Sequence, residues 1–259
     1  MGSGRGGTSL LAGMIARVGY YAGDQLHPPR DANPKGFFED VEINSINEEL
    51  LREVTPGLTD GQRWLAALPT DRRIPEPDEQ VKRRIAAQVS HSPFCLKDPR
   101  FCYTLDAWRP YVGDAVFLCV FRSPLATARS IIAEVGREDY LAPLRAEMTE
   151  MRAVSIWSAM FRYLLERQAD SGEWLFIHYE QLIDGSGISK LETALGTRVD
   201  GHLADRSLNR TSPKGRLRGE ARGIYRELCE RAGYPWHNRQ MRRRLPGLRR
   251  RLSLRTEPL

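Results

Sequence analysis

Gly2-Ser3-Gly4-Arg5-Gly6-Gly7-Thr8-Ser9 opens the chain, and Leu10 to Ala16 follows it as an apolar, helix-like run. Four glycines in six positions let the backbone turn in toward a ligand, and Thr8 and Ser9 stand where a helix begins. Such a loop offers backbone N–H groups and the positive end of a helix dipole to an anion, a phosphate or a chemical relative of one. Against the nucleoside-triphosphate loop G-x-x-x-x-G-K-[ST], Gly2, Gly7 and Ser9 fit, but Thr8 occupies the lysine position. That lysine normally reaches the terminal phosphates of a triphosphate. The only cation in this loop is Arg5, so the stretch reads as a phosphate loop not made for ordinary ATP chemistry.

Working outward, the pattern predicts a helix from Thr8 to Val18, closed by Gly19. Gly23 to Gly36 is rich in Pro, Gly, Asp and Asn and reads as a long surface loop. Helical patterns follow over Val41–Val54 and Glu79–Ser90, separated by a polar stretch, 55–78, that suits a lid or substrate wall. Phe94-Cys95-Leu96-Lys97 reads as a short strand. Ala115 to Phe121 is a continuous apolar run, as expected of a parallel strand buried on both faces. Pro124 opens a helix reaching Val135, a long helix is expected from Leu144 to Arg167, and Trp174 to His178 is a further strand. Helices are also expected over Ser189–Leu195 and Arg218–Ala232. Strands alternating with helices after a phosphate loop predict an α/β fold, P-loop-like and three-layered, with a mostly parallel central sheet flanked by helices.

The 259 residues suffice for one large domain with a substantial core. No apolar run approaches the roughly 18–20 residues of a membrane span, and nothing resembles a secretory signal. Cys95, Cys102, Cys119 and Cys229 form no C-x-x-C pair and read as reduced packing residues of a cytoplasmic protein. The net charge is +6, but residues 241–259 hold seven arginines against Glu257 alone, so the excess belongs to a tail and not to the fold. No aromatic residue accompanies them to stack on bases. The expected division is a domain over 1–240 and a basic tail over 241–259, with no nucleic-acid partner.

Ligands of open α/β sheets bind beyond the carboxyl ends of the strands. Lys97, Asp98, Arg100, Arg122 and Tyr179 all fall at or just past predicted strand ends. Each alone is an ordinary charged strand end; together with the glycine loop they mark one crevice.

With these residues in order, the sequence resembles the sulfotransferases that use 3′-phosphoadenosine 5′-phosphosulfate. Gly4-Arg5-Gly6-Gly7-Thr8-Ser9 is similar to the 5′-phosphosulfate loop, commonly R-S-G-T-[ST] in bacterial and Golgi-type members. Arg122, with Ser130 eight residues on, resembles the family's 3′-phosphate motif. Lys97-Asp98-Pro99 and His178-Tyr179-Glu180-Gln181-Leu182 are similar to segments of the tyrosylprotein sulfotransferases, and Asn33-Pro34-Lys35-Gly36-Phe37 with Glu39 to bacterial members. The resemblance covers roughly residues 2–200.

It implies that Gly4, Arg5, Gly6, Gly7, Thr8, Ser9, Arg122, Ser130 and Tyr179 bind the donor, and that Arg5 and Lys97 stabilise charge on the sulfuryl group and leaving phosphate. No metal is expected. A guanidinium and a hydroxyl are suitable ligands for a phosphate, and sulfuryl transfer is expected to rely on positioning and charge stabilisation as phosphoryl transfer does. The implied reaction moves the sulfuryl group to a hydroxyl of a small-molecule, carbohydrate or phenolic acceptor.

The acceptor must lose a proton, which calls for a general base. Cytosolic members carry a histidine two residues after the strand lysine, where this chain has Pro99. Golgi-type relatives use a glutamate after the first helix, which Glu39 matches best; Asp98 and His27 stand behind it. Lys214 and Arg216 read as loop cations near the nucleotide or in solvent. The family also places a strand directly ahead of the loop, where this chain has Met1, so a truncated or misplaced start is expected to leave the sheet short of a partner. Two alternatives stay open: a P-loop-type nucleotide kinase, which the missing loop lysine disfavours, and a nucleotide- or nucleic-acid-binding module using the basic tail.

Overall fold

The computed structural model describes residues 1–30, 33–205 and 215–235. The tail over 241–259, Lys214 and Trp236 lie outside the described residues.

Two strands pair in parallel: β1 (Val116–Phe121) and β2 (Glu173–His178), in the register Val116 opposite Glu173 through Phe121 opposite His178. Nine α-helices are described. They are α1 (Thr8–Ala16), α2 (Val41–Arg52), α3 (Glu79–Gln88), α4 (Phe101–Trp108), α5 (Pro124–Arg137), α6 (Glu150–Tyr163), α7 (Tyr179–Ile183), α8 (Ile188–Leu195) and α9 (Gly219–Arg231).

Side-chain alternation along the strands sets the layers. Cys119, Phe121 and Phe176 join one core cluster with Ala128 and Ile131 of α5, Trp157 and Phe161 of α6, and Leu228 of α9. Val120 and Ile177, one residue out of phase, join Leu11, Met14 and Ile15 of α1 and Leu191 of α8. Helices thus cover both faces of the sheet, as expected of an α/β sandwich. Wholly buried side chains such as Trp157 and Phe161 each contribute on the order of 1.5–3 kcal/mol by leaving water.

Several elements differ from the sequence expectation. The long helix expected over Leu144–Arg167 begins only at Glu150, where Thr149 caps it by accepting from the Arg152 N–H; a 3₁₀ stretch, Asp139–Leu144, precedes it. Past Tyr163 the helix widens into a π turn, Leu164–Gln168. Helix α4 carried no periodic signal that set it apart, because Phe101 to Trp108 is buried on most sides: Phe101, Cys102, Tyr103, Thr104, Leu105 and Trp108 are all inside. Phe94 to Lys97 does not form a full strand. It makes one parallel bridge, Phe94 to Tyr21, with the Tyr21 N–H donating to Pro93 O at 2.9 Å and the Cys95 N–H donating to Tyr21 O at 2.7 Å.

The reason lies between that bridge and β1. The Met1 amino group donates to Leu118 O at 2.6 Å and the Val120 N–H donates to Met1 O at 3.0 Å. One residue thereby pairs in parallel with β1 on the edge away from β2. Ahead of it, a cavity of about 360 Å³ separates Val116 and Leu118 from Leu96, Phe101 and Trp108. Among the described residues, no strand lies between segment 94–97 and β1, and that segment makes the single bridge to Tyr21.

Candidate active site

The glycine loop runs from Met1 past the end of β1 under tight constraint. Gly2 has φ +140°, and a Cβ there would collide with the carbonyl oxygen of Val120. The Gly6 N–H closes a turn onto Ser3 O at 3.1 Å, and Arg5 takes the left-handed conformation with φ +65°. Gly7 (φ +106°) precedes α1, and no side chain caps that helix. Its first N–H groups are therefore those of a helix start without a built-in acceptor, the arrangement suited to an anion. Aromatic rings enclose the loop: Tyr179 would lie 2.6 Å from a Cβ on Gly7, and Trp64 packs directly on Gly4.

A cavity of about 540 Å³ opens beside the loop. Gly4, Arg5, Gly7, Thr8, Ser9, His27, Glu39, Lys97, Arg122, Ser130 and Tyr179 all line it. Gly6 is set back from the cavity wall, packed on Ser3.

One end is built around Lys97, which is 4% exposed. Its Nζ donates to Ser9 Oγ at 3.2 Å and forms a close ion pair with Glu39 Oε1. Glu39 is placed by its neighbour: Asp40 is the N-cap of α2, accepting from the N–H groups of Glu42 and Ile43. The capping role falls to Asp40, and Glu39, one residue outside the helix, is left to reach the lysine.

The two other base candidates are in different situations. Asp98 is wholly buried and accepts from Asn44 Nδ2, Asn47 Nδ2, the Arg100 N–H and Arg100 Nη1, at 2.8–3.0 Å. With its oxygens engaged and no place on the cavity wall, it serves as an anchor. Arg100 also donates to Glu48, and Arg63 donates to the same carboxylate, forming a buried network behind the site. His27 does line the cavity, and its Nε2 lies 3.0 Å from Asn44 Oδ1. Because the Asn44 amide nitrogen must face the Asp98 carboxylate, its oxygen must face His27. That fixes Nε2 as the donor and leaves Nδ1 as the acceptor of the neutral ring.

The other end follows β1. Arg122 is its first residue beyond the strand, Pro124 starts α5, and Ser130 faces the cavity from that helix. The Arg122 guanidinium stacks over the Tyr179 ring, 4.8 Å from its centroid. Burial, together with the positive charge of Arg5, draws the Arg122 pKa below its ordinary value, against the pull of Tyr179 and Glu180. Burial likewise raises the Tyr179 phenol. Arg5, expected beside the sulfuryl group, turns its Nε to Ser130 Oγ at 3.1 Å and lies 3.8 Å from Glu134 Oε2.

Glu134 was not singled out from sequence, although it sits one helical turn after Ser130 and so on the same face. It is 5% exposed, and its Oε2 has no hydrogen-bond donor. Burial raises its pKa above the ordinary 4.5, opposed by Arg5. Asn44, Trp64 and Tyr140 also line the cavity. Trp64 belongs to the 55–78 stretch expected to form a lid or substrate wall, whereas Asn44 and Tyr140 gave no signal and are brought there by tertiary packing.

A glycine loop leading into an uncapped helix, with arginine and lysine converging at the carboxyl end of a parallel pair, defines a class of α/β proteins suited to phosphate-bearing ligands. Within it, the chain belongs to the sulfotransferase family, whose model matches residues 1–189. The structure is similar to the sulfotransferase domain from the Synechococcus PCC 7002 olefin synthase, with 18% identity and a TM-score of 0.49 over 90% of this chain and 93% of that domain. It is also similar to the sulfotransferase domain from the curacin biosynthetic pathway, with 16% identity and a TM-score of 0.48 over 90% and 96% of the two chains. No curated protein matches the sequence. Among the described residues, no helix is long and apolar enough to cross a membrane, and no group of three or more His, Cys, Asp or Glu side chains is arranged to hold a metal ion.

Proposed function

We propose that the protein transfers a sulfuryl group from 3′-phosphoadenosine 5′-phosphosulfate to a hydroxyl of a small-molecule, carbohydrate or phenolic acceptor. The observation that carries this reading is the placement of Lys97. From a segment 88 residues away it is turned onto Ser9 of the glycine loop and paired with Glu39, while Arg122 and Ser130 line the same cavity.

The roles follow from charge. The loop N–H groups and Lys97 face the phosphosulfate, where negative charge moves from the sulfuryl group to the leaving phosphate as the S–O bond breaks. Arg122 and Ser130 receive the 3′-phosphate, the guanidinium offering paired donors and the hydroxyl one more. Tyr179 supports Arg122 from below. Glu39 takes the proton of the acceptor hydroxyl as its oxygen bonds to sulfur. The Lys97–Glu39 pair ties the base to the sulfuryl position, so proton removal and transfer are held in one geometry. Lys97 and Ser9 stand in place of the loop lysine and metal of a nucleotide kinase. The four free cysteines fit a reducing, cytoplasmic setting.

Calorimetric titration with 3′-phosphoadenosine 5′-phosphate, beside ATP with magnesium, tests the reading. Magnesium-independent binding of the bisphosphate, weakened about 10- to 100-fold by Arg122→Ala, is expected. Preference for ATP with magnesium would replace the sulfotransferase reading with a kinase.

A further inference from the structure

Glu39 does not stand alone on its wall of the cavity. Leu26 and Asp40 form an antiparallel bridge, flanked by the His27 N–H donating to Glu39 O at 2.8 Å and the Val41 N–H donating to Gln25 O at 2.9 Å. His27 and Glu39 are therefore directly opposite one another, with side chains on one face and Cβ atoms about 5 Å apart. Both line the cavity. Asp40 holds the pair in place: its Oδ1 caps α2, its Oδ2 accepts the Gln25 N–H at 2.7 Å, and a Cβ on Gly23 would collide with its side chain.

The two side chains offer different chemistry. Glu39 carries a charge and is tied to Lys97. His27 donates from Nε2 to Asn44 Oδ1 at 3.0 Å, which leaves Nδ1 of the neutral ring an acceptor facing the cavity wall. The partner of Nε2 is an amide oxygen and not a carboxylate. Asp98, behind it, is bonded to Asn44, Asn47 and Arg100 instead. An imidazolium at His27 would lack the direct carboxylate contact that supports one in a catalytic triad. The ring is thus equipped to accept a hydrogen bond and not to keep a proton. An acceptor nitrogen on a ligand-binding wall selects for a ligand that brings a donor to it, because a ligand covering it with carbon leaves it unpaired.

The rest of this end is aromatic. Phe37, Trp64 and Tyr140 line it, with Trp64 packed on Gly4 and Tyr140 held beside Gly61 by Gln62 Nε2 donating to its carbonyl at 3.0 Å. Such a wall, with a few placed polar groups, suits a ring-shaped ligand.

We propose that His27 accepts a hydrogen bond from a second hydroxyl of the acceptor, on the carbon next to the one that is sulfated, so that the acceptor is a vicinal diol carried on a ring. This rests on the sulfotransferase reading and names the substrate class of its acceptor site. The reacting hydroxyl gives its proton to Glu39 while its oxygen bonds to sulfur and the bond from sulfur to the donor's phosphate oxygen breaks. The neighbouring hydroxyl keeps its proton and holds the ring in register through His27 Nδ1.

The test measures kcat/KM for sulfuryl transfer to two matched pairs, catechol against phenol and trans-1,2-cyclohexanediol against cyclohexanol, which separate an aromatic diol from an alicyclic one. In the wild type, the diol of at least one pair is expected to be preferred about 10- to 100-fold. His27→Gln and His27→Asn divide the two roles of the ring. The glutamine amide reaches the Nε2 position and its bond to Asn44, whereas the asparagine oxygen stands at the Nδ1 position. The preference is expected to fall to within about threefold of unity in His27→Gln and to persist at about 3- to 10-fold in His27→Asn. Greater diol selectivity in the glutamine variant than in the asparagine variant would make His27 a support for Asn44 only and overturn the proposal. So would a wild type that prefers neither diol, or one that binds 3′-phosphoadenosine 5′-phosphate and sulfates none of the four alcohols. A wild type that does not bind the bisphosphate would remove the sulfotransferase reading first and this inference with it.

Discussion

The carboxyl end of β1 and the outer edge of the same strand are built on opposite terms. At the carboxyl end, charged side chains from four separate segments interlock: Arg5 with Ser130 and Glu134, and Lys97 with Ser9 and Glu39. At the edge, the Met1 main chain pairs with Leu118 O and the Val120 N–H. The alternation of a parallel strand turns the Leu118 N–H and the backbone groups of Val116 toward the neighbouring cavity as well. Val116 and Leu118 are accordingly only half-buried, while Cys119, Val120 and Phe121 are fully inside. The carboxyl end is thus held by side chains that bridge elements, whereas the outer edge is held by main-chain pairing.

The sharpest way to break the first region is Lys97→Met, which keeps the packing and removes the charge. Turnover of the phosphosulfate donor in the presence of phenol and sugar acceptors is expected to fall about 10²- to 10³-fold. Bisphosphate affinity should change far less, and an equal loss in both would make Lys97 a binding residue only. Glu39→Gln comes next, with an expected drop in kcat of about 10²-fold and unaltered bisphosphate affinity. Activity near wild type in that variant would move the base to His27, whose Nδ1 is the acceptor nitrogen on the same wall.

The second region is probed by filling it. Four β-branched residues joined ahead of Met1, in register with Val116 and Leu118, are expected to raise Tm by several degrees, about the effect of 1 kcal/mol in a domain of this size. An unchanged melting curve would show that the cavity beside β1 does not take a strand. The smallest expected effect is on pH dependence. Burial raises the folded-state pKa of Glu134 above 4.5, so its contribution to stability is complete below that ordinary value. It is lost as pH rises through the raised one. Thermal melts of Glu134→Gln across that range should therefore decline less with rising pH than those of the wild type; parallel curves would show that another group governs the slope.

Much of the fold was legible because its signals are local. The AVFLCVF run marked β1 to within one residue, Pro124 marked the start of α5, and Asp40 caps α2 as its residue type predicts. The failures share a cause. Phe94–Lys97 reads as a strand, but it pairs through one bridge to Tyr21 and a cavity lies between it and β1. Phe101–Trp108 is a helix without a polar face, so no amphipathic period revealed it. The cavity-lining residues Arg5, Ser9, Lys97 and Arg122 were legible through the loop and strand ends, whereas Glu134 was missed because its contact depends on Arg5 crossing to α5.

By itself the sequence determined the chemistry available: a glycine loop able to approach a phosphate, a missing triphosphate lysine, arginine and lysine at strand ends, and glutamate ahead of a helix cap. These are properties of residue type and spacing, set by backbone freedom and charge. The tertiary structure alone decided which of them meet. It paired Lys97 with Glu39, consumed Asp98 in a buried anchor, fixed the His27 tautomer through Asn44, and sent Arg5 to Ser130. Those outcomes depend on distances and burial between segments far apart in the chain, where electrostatic and hydrogen-bond energies change steeply over a few ångströms.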